Sequence, residues 1–203
     1  EIAGALHATP PAVRKNTVVV TFSTGQLAAL DLESGNPLWT DSLAGGDLQE
    51  AASGSLQIAS PIMATGITFA GSSQSLTAFE SESGRRLWER TLPVASAPWL
   101  AGNYLFLITP KGQLAAIRGL DGGLQWVRDL PRDDDSPLLW QGPIVASGRI
   151  WLAGENGWLY SCDPQTGEDG RTLDLGGNLM TAPVISDNAM ILLNKDAKLT
   201  ILR

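Results

Sequence analysis

The residues in this chain able to do chemistry are few and scattered. His7 is the only histidine, so histidine-based acid–base work could occur only there, and a multi-histidine metal site is ruled out. Its place near the start of the chain reads as a terminal loop, where a solvated imidazole has no partner to activate it. Cys162 is the only cysteine, which rules out an internal disulfide or a multi-cysteine metal site. It falls in an apolar stretch, where a cysteine behaves as a small buried hydrophobe, and it lies mid-chain, where no lipid is attached. Asp133, Asp134 and Asp135 form the densest carboxylate run. Calcium would want about 6–8 oxygens around a loop, and the spacing D-x-[DN]-x-[DN]-G is missing. Pro131 and Pro137 flank the run, so it reads as a solvated acidic loop, with a partner-facing charge patch as the other reading. Trp140 follows that loop and is either a lid on a core or an aromatic anchor for a partner. No G-x-S-x-G elbow, phosphate-binding loop or G-x-G-x-x-G turn occurs. No catalytic residue, cofactor ligand or metal ligand is therefore assigned.

The bulk numbers point the same way. Of 203 residues, 43% are hydrophobic and only 17% charged, a globular composition rather than a disordered one. A net charge of −7 argues against nucleic acid or an anionic lipid surface as partner, since both demand basic patches. No apolar run is long enough for a membrane-spanning helix. No charged-then-apolar leader is visible, which says little, because residue 1 can lie inside a longer chain.

Positioning falls to a repeat. The segments GQLAALDLESGNPLW (25–39), QSLTAFESESGRRLW (74–88) and GQLAAIRGLDGGLQW (112–126) align without a gap. Each carries an apolar strand, a turn ending in glycine, then tryptophan four residues on. The pairs are Gly35 with Trp39, Gly84 with Trp88, and Gly122 with Trp126. A fourth copy, GWLYSCDPQTGEDGR (157–171), keeps Gly167 but has Arg171 in the tryptophan slot, and a fifth starts at Ala197. Prolines at 11, 61, 98, 143 and 183 precede the copies at spacings of 50, 37, 45 and 40 residues. That period suits a four-stranded propeller blade of about 40–50 residues.

Within the first unit the pattern predicts strands near Pro11–Val13 and at Thr17–Phe22, Gln26–Asp31 and Leu38–Ser42, with Val18, Val20 and Phe22 alternating with Thr17, Val19 and Thr21. The last unit predicts strands at Thr181–Ile185, Ala189–Asn194 and Lys198–Leu202, with no outermost strand. The expected fold is all-β: a propeller of four-stranded antiparallel blades, about 4.5 to 5 of them. They span roughly 7–43, 57–92, 94–130, 138–175 and an incomplete 178–203, with 1–6 as an outer strand of another blade. Trp39, Trp88 and Trp126 are expected to seal each blade against the next.

The repeat G-x-L-x-A-(L/F/I)-x(4)-G-x(2)-L-W resembles the quinoprotein-type, or PQQ-like, propeller repeat. More narrowly, APWLAGNYLFLITPKGQLAAIRGLDGGLQWVRDLPR (97–132), LLWQGPIVASGRIWLAGENGWLYSCDPQTGE (138–168) and APVISDNAMILLNKDAKLTILR (182–203) resemble the BamB family of the outer-membrane β-barrel assembly machinery, in its alphaproteobacterial form. The resemblance covers nearly the whole chain and implies part of an eight-bladed ring without enzymatic activity or cofactor. It also implies a place on the periplasmic side of the outer membrane, with the POTRA modules of BamA as partner and unfolded outer membrane proteins as a further one. By the same resemblance the partner-binding loops map to Glu1–Pro10 and Ala44–Ser60, which makes Leu6, His7, Leu56, Gln57 and Ile58, with Trp140, the candidate contact residues. The charged loop features associated with the family are not reproduced there. Leu6, Leu56 and Ile58 are either exposed anchors or side chains tucked onto the propeller face. A fragment of a quinoprotein dehydrogenase, or a propeller for another periplasmic partner, are the alternatives. A cut ring would expose two blade flanks open to self-association.

Overall fold

Short runs of β-branched and apolar residues, stopped every few positions by glycine turns, give strands and no helix among the described residues. The computed structural model describes residues 8–43, 56–133 and 138–203. Five sheets follow one another along the chain, each an antiparallel meander in sequence order. The first holds β1 (Ala12–Arg14), β2 (Thr17–Thr21), β3 (Gln26–Asp31) and β4 (Pro37–Ser42). The second holds β5 (Ile62–Met63), β6 (Ile67–Gly71), β7 (Leu76–Glu80) and β8 (Arg86–Arg90). The third holds β9 (Trp99–Ala101), β10 (Tyr104–Ile108), β11 (Gln113–Arg118) and β12 (Leu124–Asp129). The fourth holds β13 (Trp140–Ala146), β14 (Arg149–Gly154), β15 (Trp158–Cys162) and β16 (Asp169–Asp174). The fifth has three strands, β17 (Val184–Ser186), β18 (Ala189–Leu193) and β19 (Leu199–Leu202). The expected strands of the first unit are found with shifts of a single residue at their ends. The proposed outer strand at 1–6 lies outside the described residues.

The middle strands of the second, third and fourth sheets are buried on both faces, because each of these sheets is sandwiched between two neighbours. Leu105 to Ile108, Leu114 to Ile117 and Leu159 to Cys162 are continuous buried runs. Small side chains make this close stacking feasible, with Ala28, Ala29, Ala78, Ala115 and Ala116 at 0–1% exposure. The alternation in β2 identified a strand but not its inner face: Val19 and Thr21 are fully buried, whereas Val18 and Val20 are half-buried. Thr21 tolerates burial because its hydroxyl bonds Thr9 Oγ1 and donates to the Ala59 carbonyl at 3.2 Å.

The aligned tryptophans and glycines form the joints. Trp39 Nε1 donates to the Ser81 carbonyl at 2.9 Å, Trp88 Nε1 to that of Gly119 at 2.9 Å, and Trp126 Nε1 to that of Pro164 at 3.1 Å. Each bond runs from the outermost strand of one sheet to the last turn of the next, and each indole is less than a tenth exposed. The turn glycine lies flat under that indole. A Cβ on Gly84 would stand 2.6 Å from the Trp39 ring, one on Gly122 2.7 Å from Trp88, and one on Gly167 2.8 Å from Trp126. Glycine is required there twice over, since each also has a positive φ of 67–74°. The tryptophans pack against the adjoining blade as expected. An arginine two residues after the tryptophan reinforces two of these joints. Arg90 donates to the Gly122 and Asp121 carbonyls, and Arg128 to that of Thr166. At the first joint the polarity is reversed: Asp41 accepts from Arg86 of the next sheet at 2.6 Å. Where Arg171 takes the tryptophan slot, the whole of β16 is exposed.

Candidate protein-docking face

An antiparallel meander puts alternate connections at opposite ends of the stack. The turns at 22–26, 72–75, 109–113, 155–157 and 194–198 share one end with the links between blades, and we call this the connection end. The other end carries the hairpins between the first and second strands and the glycine turns that meet the tryptophans.

At the connection end each link is zipped onto its own blade before the innermost strand begins. Ala8 bridges Phe22, Ile58 bridges Ser72, and Leu179 bridges Asn194. Around Ile58 this is reinforced by Ser73 N donating to the Gln57 carbonyl at 2.7 Å and Ala59 N to that of Gly71 at 3.0 Å. Glu155 N likewise donates to the Leu139 carbonyl at 3.0 Å. The backbone polar groups of these links are thus satisfied by strand-like pairing, which fixes which side chains face inward.

Of the sequence-predicted contact residues, Leu6 and His7 lie outside the described residues. Leu56 is 5% exposed and Trp140 4% exposed. The Trp140 indole donates to the Pro131 carbonyl at 3.3 Å and meets the Tyr160 ring at 5.7 Å between centroids. Trp140 is therefore the core lid, and as an exposed anchor the assignment is corrected; Leu56 is likewise tucked in. Burial of their apolar area inside the chain removes it from reach of a partner. Ile58 is half-buried on the cluster of Val19, Leu27, Trp39 and Phe79. Gln57 is exposed between two inward-facing neighbours. One contact candidate was missed. Leu139 is 58% exposed between the buried Leu138 and Trp140, and because all three are apolar no alternation of residue type in the sequence marked it as the outward member. It stands beside a cavity of about 210 Å³ lined by Ser96, Thr109, Pro110 and Gln141. Asp133 is close by, accepting from Asn156 Nδ2 at 3.3 Å, whereas Asp134 and Asp135 lie outside the described residues.

No group of three or more metal-ligating side chains occurs among the described residues. Cys162 is 1% exposed, and burial pushes its thiol up to about 12, with Asp169 adding to the shift. Burial also raises the Tyr160 phenol, helped by the bond its hydroxyl donates to Asp169. A neutral thiol sealed in this way is a packing group rather than a nucleophile.

Together the stacked meanders, the indole clamps and the loop-bearing end define a class, the β-propeller built of PQQ-like repeats. The family profile described as outer membrane protein assembly factor BamB matches residues 1–128, and the chain belongs to that family. The curated BamB of Alkalilimnicola ehrlichii is 27% identical over 95% of this chain and 50% of its own length. That of Escherichia coli K12 is 25% identical over 92% and 47%. The chain thus spans about half the length of the curated relatives it matches. Among solved structures, BamB from Moraxella catarrhalis superposes with a TM-score of 0.76 at 18% identity, covering 94% of this chain and 57% of that one. A quinohemoprotein alcohol dehydrogenase from Pseudomonas putida superposes with a TM-score of 0.70 at 12% identity, covering 95% and 39%, which is a likeness of fold.

Proposed function

We propose that this chain serves in outer membrane protein assembly as a protein-docking scaffold at the periplasmic face of the outer membrane, not as an enzyme. The observation that carries this reading is membership of the BamB family over most of the chain. The relatives bear the name of an assembly factor rather than of a catalyst. The proposed partner is the POTRA region of BamA, met at the connection end. There a rigid stack presents Gln57 and Leu139 on backbone that is already ordered, so little conformational entropy is lost on binding. Leu56 and Trp140 act from beneath by holding those links in place, and Asp133 lends the acidic rim that orients a basic partner surface.

The test is a titration of the chain with the purified POTRA region by calorimetry. Leu139→Asp, together with Gln57→Arg, is expected to weaken binding at least about tenfold while the melting temperature moves little. Unchanged binding would move the contact off the connection end. The quinoprotein reading is tested separately by adding PQQ with calcium, where a saturable rise in melting temperature would favour a cofactor site.

A further inference from the structure

The four glycine turns at the other end share one backbone, each closed by a glycine N–H donating to the carbonyl four residues back: Gly35 to Asp31, Gly84 to Glu80, Gly122 to Arg118 and Gly167 to Asp163. Three of them read alike. A carboxylate opens the turn (Asp31, Glu80, Asp163), and an exposed polar residue sits at its third position (Glu33, Glu82, Gln165). The turn of the third blade departs at both places. Arg118 replaces the carboxylate and takes Asp121 as an internal partner at 2.9 Å. Leu120 occupies the third position and is 80% exposed, the largest value among the big apolar residues described. Since the sister turns close with Glu or Gln there, the fold does not require leucine. An exposed apolar residue that the fold does not need marks a contact surface.

Leu120 borders a groove of about 440 Å³ between the second and third blades. Ile67 and Leu100 contribute half-buried apolar surface to it, and Thr65 and Asn103 line its edge. Arg14, at the end of β1, is the only charged residue among the described ones that line the groove. Its guanidinium donates to Thr65 Oγ1 at 2.8 Å and enters no ion pair among the described residues. An apolar trough with one unneutralised guanidinium at its lip complements an apolar side chain lying next to a carboxylate.

We propose that this groove is a second docking site, on the end opposite the connection end, and that it takes a short acidic, apolar segment of another polypeptide. Leu120 and Leu100 embrace the apolar side chain, Arg14 takes the neighbouring carboxylate, and the Asn103 amide bonds the peptide backbone. This site does not depend on the reading of the connection end.

The test uses the ¹⁵N-labelled full chain titrated with acetyl-Leu-Phe-Glu-amide and with acetyl-Leu-Phe-Lys-amide. Saturable shifts are expected at the amides of Gly102, Asn103, Gly119 and Gly122, with the lysine peptide at least about tenfold weaker. Leu120→Glu, which installs the residue two sister turns carry, should leave the remaining spectrum unchanged and abolish the shifts. Arg14→Gln should bring the two peptides to equal, weak affinity. The proposal is overturned if both peptides bind the parent alike, if Leu120→Glu still binds, if the shifts fall around Gln57 and Leu139 instead, or if nothing moves at about 10 mM peptide.

Discussion

The indole–glycine clamp can be weighed by comparing two glycines in the same turn. Gly35 and Gly84 have nearly equal φ values of +70° and +74°. Nothing lies within 4 Å of a Cβ placed on Gly35, whereas one on Gly84 would stand 2.6, 2.7 and 2.9 Å from three atoms of the Trp39 ring. Alanine at either position meets the left-handed backbone cost of about 1–2 kcal/mol. Only Gly84→Ala must also displace an indole wedged against Phe79, with ring centroids 5.7 Å apart, and tethered by its 2.9 Å bond to the Ser81 carbonyl. Overpacking of this kind costs about 1–3 kcal/mol, and losing the bond leaves a further cost of about 1 kcal/mol. The expectation is a loss of about 1–2 kcal/mol for Gly35→Ala and about 3–6 kcal/mol for Gly84→Ala. Urea unfolding followed by tryptophan fluorescence reads the difference as a shift in midpoint at constant slope. Equal losses in the two variants would refute the clamp, since the only cost left would be the shared backbone one.

Three further outcomes are expected. Trp126→Ala should cost about 3–5 kcal/mol by opening the joint between the third and fourth sheets, measured by the same unfolding assay. Cys162, sealed at 1% exposure with its thiol at about 12, should not react with Ellman's reagent at pH 8 in the native chain and should react fully once unfolded in denaturant. For Asp41, burial alone would raise the carboxyl, but bonds from Arg86 and the Ser42 amide outweigh it and leave it below its ordinary value of 3.8. A depressed folded value adds stability at neutral pH that is lost as pH falls through it. The advantage of the parent over Asp41→Asn should therefore hold at pH 7 and shrink below about pH 4 in thermal melts.

Much of the architecture was legible in the chain because a repeat repeats its constraints. The glycine–tryptophan spacing recurs wherever an outer strand must reach the next turn, so Trp39, Trp88 and Trp126 could be placed on joints before any contact was known. The inward face of β2 was not legible. With Val18, Val19 and Val20 in a row, β2 has no polar face to betray its register, so the choice between Val19 and Val20 rests on what the neighbouring sheet presents. The same blindness affected the docking residues. Leu56 and Trp140 have the chemistry of anchors, and only the pairing of their links with the second strands turned them inward and left Gln57 and Leu139 outside.

Residue order alone thus determined the all-β class, the blade period and the identity of the clamping residues, since these follow from local spacing and from the turn geometry that glycine permits. The tertiary structure decided which apolar residues remain outside and which charge stays unmatched. Leu120 and Arg14 are 106 positions apart in the chain and line one groove because the first and third blades meet it from either side of the second. Burial and pairing are properties of the stacked sheets, set by what lies across each joint, and no window of sequence contains both sides of a joint.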